Sequence, residues 1–302
     1  MKRNYFILLA FLSVFANAQT NRFFYEYKFI PDSNNKEEVK KEMMLLDINK
    51  KGSAYYSHDK FVADSTSKAE LEKQINSGSG SISVNRRDRP GQVSYKVTKD
   101  YPDFKTYLFT SVSTDKYKIK EDKKPEWKIL PDKQKIGEYN TQKAVTSYGG
   151  REWTAWFSSD IPFQDGPYKF YGLPGLIVKI EDGTGSHTMT LVGNKTIQSP
   201  SEEKETQLPD NVRILGMGGK ELEITKDQYK KVWKAYVNDP TKNMREMMMK
   251  NGGDSNTKVA FKMKTADGKE LSDPNQVFKE MEKRTKETLL KNNNPIEPDM
   301  TK

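Results

Sequence analysis

The chain has 302 residues, a formal charge of +9, two histidines and no cysteine. Without cysteine there is no thiol nucleophile, no thiolate metal or iron–sulfur ligand and no disulfide, so a packed core alone must stabilise the fold. The basic excess is mixed with Asp and Glu along the chain and lacks the aromatic-interleaved stripe of a nucleic-acid binder; "NRRDRPG" at 85–91 is the one dense Arg cluster and falls in a predicted turn.

In chain order, Lys2 and Arg3 followed by the apolar run Tyr5 to Phe15 and by Ala16-Asn17-Ala18 read as a signal peptide over 1–18, cleaved after Ala18. The apolar run is shorter than the ~20 residues of a spanning helix. From Arg22 to about Ile197 the pattern alternates with period 2 between turn residues, which predicts nine to eleven antiparallel strands in a meander. "RFFYEYKFI" puts Phe23, Tyr25, Tyr27 and Phe29 on one face, and Asn49 to Gly52 and Gly149-Gly150 are predicted hairpin tips. The stretch 67–81 reads as a helical turn running into a linker.

The composition changes near residue 220. Thr225 is a predicted N-cap, with Tyr229, Val232, Trp233 and Tyr236 at helical spacing. Asp239-Pro240 starts a second helix carrying Met244, Met247 and Met248. Ser272-Asp273-Pro274 starts a third, with Val277, Phe278 and Met281 on its apolar side. The sequence therefore divides into the leader, a β domain over 19–220, a helical segment over 221–291 and a tail, 292–302, whose "NNNPIEPDMTK" composition predicts disorder.

Residues able to carry chemistry are sparse. His58 and His187 lie in predicted strands, far apart, with no nucleophile elbow or metal-ligand spacing nearby. Asp160, Asp165 and Glu181 lie near Trp153 and Trp156, an arrangement that a glycan hydrolase could use; the same acids are also ordinary turn residues. "GTGSH" at 183–187 lacks the Lys and helix of a phosphate loop, and "DINKKGS" lacks the acids of a calcium loop. No catalytic residue, metal or cofactor is predicted.

The distinctive stretch is "DGPYKFYGLPGLIVKIED", 165–182. Gly166-Pro167 introduces a short aromatic strand, Tyr168 to Tyr171. Gly172, Pro174 and Gly175 then set a tight corner that carries the chain to another part of the sheet, while Leu173, Leu176 and Ile177 anchor it. Residues 172–177 spell GLPGLI, and Gly137 to Asp182 resembles the signature of the GLPGLI family of exported Bacteroidetes proteins: a QKA strand, a "GREWTAWF" strand, an IP loop, GPYKF and the corner. Thr141 stands near where that family often has Cys. The resemblance implies an envelope protein, periplasmic or outer-membrane-associated. It implies no known activity, and possible partners are a transport component of the outer membrane, a peptide, a glycan or a lipid.

The expected fold is mainly β: a large curved antiparallel sheet, half-barrel-like, with two or three C-terminal helices and a concave face lined by aromatic side chains. The expected role is non-catalytic binding of an apolar ligand, peptide or envelope partner, with Trp153, Trp156, Tyr168 and Phe170 as binding candidates. The alternation puts Trp156 opposite Trp153. A glycan or glycopeptide hydrolase and a structural subunit of a surface assembly are the alternatives.

Overall fold

The computed structural model describes residues 19–77, 92–198, 221–251, 263–265 and 267–301. The signal-peptide residues, the Arg cluster and the end of the 67–81 stretch lie outside them. The chain is mainly β, built on an open twelve-stranded sheet. Strands β1 (Gln19–Phe29), β2 (Lys40–Ile48), β3 (Gly52–Ser57), β4 (Lys96–Asp100), β5 (Lys105–Val112) and β6 (Asp115–Glu121) form one antiparallel meander. Strands β7 (Lys128–Ile136), β8 (Tyr139–Tyr148), β9 (Arg151–Ser158), β10 (Leu176–Asp182) and β11 (His187–Gln198) form a second. The two join where β1 pairs with β11, and β12 (Leu222–Ile224) adds to β6 in parallel. Among the described residues, the stretch expected to hold nine to eleven strands shows eleven, and the segment after 221 contributes one more to the sheet.

The connection from β6 to β7 shows how strongly the sheet is rolled. In a flat sheet those strands, ten spacings apart in the strand order, would be about 48 Å from each other. Residues 122–127, the whole connector, reach about 25 Å at most. The sheet must therefore curl until its edges approach. Phe23, Tyr25 and Tyr27 of β1, expected to share one face, point inward with Met44, Leu46, Tyr55, Trp153 and Phe157.

The GLPGLI segment does more than turn a corner. Ser158 pairs directly with Leu176, so β9 and β10 are neighbours and residues 159–175 leave and return at one place. They form an Ω-type loop that inserts into the concave face, burying Tyr168, Phe170 and Leu173, with Phe163 edge-on to Phe23. The expected strand Tyr168 to Tyr171 is absent: Tyr168 has φ +55° and begins the turn back. Nor does the corner lead to a distant part of the sheet. The alternation ends at Ser158, and the loop's aromatic residues are buried by insertion, without strand pairing.

Helix α1 (His58–Asn76) starts well before the expected helical turn, and His58 is its first residue, not a strand residue. The Ser57 hydroxyl accepts from the Lys60 N–H, giving the helix a start signal. It packs on the outer side of β2 and β3, where Leu71 and Leu45 are buried. Helix α2 (Lys226–Asn238) has the predicted Thr225 cap, in a capping box with Gln228, and sets Tyr229 edge-on to Tyr117. Helices α3 (Lys242–Asn251) and α4 (Pro274–Lys291) follow, the latter capped by Asp273 and burying Val277 and Phe278 as the spacing predicts. The side chains of Met247 and Met248 lie outside the described residues.

The tail expected to be disordered is packed. Asn294 donates to the carbonyl of Ile30 and, through its backbone, to that of Pro31; Glu297 and Met300 are buried. Composition missed this because specific polar contacts, not a long apolar pattern, hold the segment. The Gly149-Gly150 tip has φ +65° and +87°, and the tail passes so close that a Cβ at Gly149 would come within 2.6 Å of Glu297.

Gly175 sets the loop's return. Its φ is +142°, and a Cβ there would lie 2.1 Å from the Ser158 carbonyl oxygen. Gly175→Val is expected to cost about 4 kcal/mol, equivalent to ~10 °C in Tm for a chain of this size. An unchanged melting temperature would refute this account of the corner.

Candidate functional site

The polar groups inside the rolled sheet gather around the inserted loop and the tail. Lys99 projects inward from β4 and is buried. It pairs with Asp165 of the loop and donates to the Gly166 carbonyl at 2.7 Å. Asp165 also accepts from the Tyr101 hydroxyl and the Gly166 N–H. Burial pushes the Lys99 ammonium down from its usual range, against the opposing pull of Asp165. Losing one member of such a pair costs more than the pair contributes, because it leaves a buried charge uncompensated.

Lys169, four residues on, is the second node. Its ammonium meets Glu121 of β6 at 2.9 Å and Glu297 of the tail. Glu297 also accepts from the Tyr168 hydroxyl and from Lys226 of α2, the latter at 3.1 Å. Burial alone would raise the Glu297 carboxyl; the two ammonium groups and the Tyr168 hydrogen bond outweigh it and hold it below the usual range.

The third node closes the end of β9–β11. Arg151 bonds Asp182 at 2.8 Å and, with its other terminal nitrogen, the Asn294 side chain and the Pro295 carbonyl. Asp182 accepts from Thr184 and from the His187 N–H. The His187 ring is buried, with Nδ1 2.7 Å from the Tyr27 hydroxyl. Burial first, and then the nearby Arg151 charge, lower its pKa to about 4, although Asp182 pulls the other way.

Of the four aromatic candidates, three come together. Trp153 lies 4.8 Å from Phe170, ring to ring, and Tyr168 6.2 Å from it, all buried. Trp156 faces outward between Lys143 of β8 and Lys179 of β10. The hydrolase acids do not converge. Asp165 is sealed inside by Lys99, Asp160 is exposed on a turn, and Glu181 faces outward beside Lys179. Gly172, at the corner, has φ +93°, and Leu173, Leu176 and Ile177 are buried as predicted, while Pro174 is exposed.

Lys99, Lys169, Glu42, Arg151 and Glu297 were not singled out by the sequence. For three of them a signal existed. Glu42 shares the inward phase of Met44, Leu46 and Ile48, Lys99 that of Val97, and Arg151 that of Trp153, Ala155 and Phe157, so each is a charge on a buried phase. Lys169 and Glu297 lie outside any periodic pattern and carried no signal. Among the described residues no group of three or more His, Asp or Glu could hold a metal, and no helix is long and apolar enough to cross a membrane.

Residues 147–179 match the model of a family described as a protein of unknown function (Porph_ging). The matched stretch contains the GLPGLI motif; the GLPGLI family name itself rests on the motif alone. No curated protein matches the chain. Among solved structures, PNGF-II in space groups P21 and C2 is similar at 17% and 18% identity, with TM-scores of 0.44 and 0.43. These alignments cover 71% of this chain and 33% and 32% of PNGF-II, so the chain spans about a third of the length of the structures it matches.

The neutral His187 makes stability depend on pH. Its folded pKa is depressed, so the unfolded chain binds more protons between the ordinary value of 6.5 and about 4. Its contribution is full above pH 6.5 and is lost as pH falls to about 4, an effect on the order of 3 kcal/mol. Urea denaturation across this range should show the slope, and His187→Gln should remove it. An equal slope in that variant would place the titration elsewhere.

Proposed function

We propose that this chain is an exported, non-catalytic binding protein of the cell envelope that encloses a ligand or peptide within its rolled sheet without transforming it. The observation that carries this reading is the state of the interior. Aromatic rings line it, and the acids that hydrolysis would need are bound to lysines or stand apart on the surface. Glycosidic hydrolysis uses two carboxyl groups facing one bond, and Asp160, Asp165 and Glu181 do not supply that pair. The GLPGLI residues act as scaffold in this reading. They insert Tyr168 and Phe170 beside Trp153 and so define the shape of the enclosed surface. Export is supported by the basic, apolar and small-residue succession of the first eighteen residues.

Native mass spectrometry on the chain purified from its own envelope, followed by solvent extraction, tests the role. The expected outcome is a bound mass that dissociates on unfolding. An empty chain whose Tm is unmoved by envelope extract would reject it, as would turnover of a glycan or glycopeptide by the purified protein.

A further inference from the structure

Among the described residues five acids are buried: Glu42, Asp47, Asp165, Asp182 and Glu297. Four have a cation. Asp47 pairs with Arg22, Asp165 with Lys99, Asp182 with Arg151, and Glu297 with Lys169. Among the described residues Glu42 alone has none. Its Oε2 accepts from the backbone N–H groups of Gln92 and Val93 at 2.6 and 3.0 Å, while its Oε1 is buried without a partner.

The surroundings of Glu42 are aromatic and incompletely hydrogen-bonded. Tyr27 is its direct cross-strand neighbour on the inner face. The Tyr55 and Tyr95 hydroxyls are both buried without a hydrogen-bond partner. Tyr95 lies two residues beyond Val93, whose N–H reaches Glu42, and Tyr55 pairs with Val97 on the strand that follows. On β3 the inward residues flanking Tyr55 are the small Ser53 and Ser57. A carboxylate out of water with no counter-charge is strongly disfavoured. Water would satisfy the hydroxyls but would leave the charge unpaired. A cation would compensate it, and tyrosine ring faces attract cations.

We propose that Glu42, Tyr55 and Tyr95 form an internal binding site for a small organic cation: a primary amine carrying a second hydrogen-bonding group, as in an amino alcohol. The ammonium donates to Glu42 Oε1, and the tyrosine hydroxyls meet the second polar group. This names a ligand class for the binding role proposed above and rests on it.

The test is calorimetric titration and thermal shift of the full chain near pH 7 with ethanolamine. Ethylene glycol serves as the neutral counterpart and sodium chloride as the ionic control. Saturable binding and a rise in Tm are expected with ethanolamine alone, weakened roughly tenfold or more by Glu42→Gln. That variant keeps a carbonyl oxygen for Gln92 and Val93; circular dichroism checks its fold. If it does not fold, the paired Tyr55→Phe and Tyr95→Phe substitutions should weaken binding instead. The proposal is overturned if wild type shows no saturable response, if ethylene glycol stabilises as much, or if a folded variant binds as wild type does. A ligand of different chemistry co-purifying with a chain that ignores ethanolamine would end this inference while leaving the binding role intact. Turnover of a glycan would end the role whatever ethanolamine does.

Discussion

A lysine ammonium cannot stay charged inside a protein unless opposite charge and hydrogen bonds replace its water. Lys169, carried inward by the GPYKF segment, has that problem, and much of the architecture answers it. Its counter-charges come from Glu121, next to one edge of the sheet, and from Glu297 in the tail. Lys226 on α2 shares Glu297. One cation therefore fastens the inserted loop, strand β6, the tail and the first C-terminal helix to one another. Without it the loop would still be apolar enough to insert, but Glu121 and Glu297 would lose the cation they share.

The same device recurs at Lys99–Asp165 and Arg151–Asp182, each linking a strand to the loop or the tail. Apolar packing is non-directional and tolerates many arrangements. Buried ion pairs do not, because a shifted loop would leave a charge uncompensated. The interior is thus held in one arrangement by charge and stabilised by its aromatic residues. Phe170 lies within ring-contact range of Trp127, Tyr148, Trp153 and Tyr168. The conformation of Tyr168, at φ +55°, is uncommon for a residue with a side chain. Its hydroxyl on Glu297 and its ring against Tyr95 keep it there.

Among the described residues almost every interior charge is committed to a structural partner of opposite sign, and Glu42 stands out because no cation faces it. The sheet edges are also poor docking sites. β7 is Lys-rich, contains Pro131 and loses register against β8, while β12 has three residues. Such edges resist strand addition.

The fold class was legible in the sequence because strand alternation is local: each residue's neighbours two positions away reveal its face. The hairpins, the Thr225 and Asp273 caps and the opposite facing of Trp153 and Trp156 follow from that periodicity or from short-range hydrogen bonding. The tight corner at Gly172 and Gly175 was readable from the residue types themselves. What only the tertiary structure decided depends on contacts far apart in the chain. The pairing of β1 with β11 and the packing of Asn294 against Ile30 rest on partners more than a hundred positions away, and the return of the loop brings Leu176 back to Ser158 without any periodic signal. Lys169 and Glu297 are 128 positions apart in the sequence, and no local pattern marks either as a buried charge. A charged residue in a loop looks like a solvated one until the fold takes its water away.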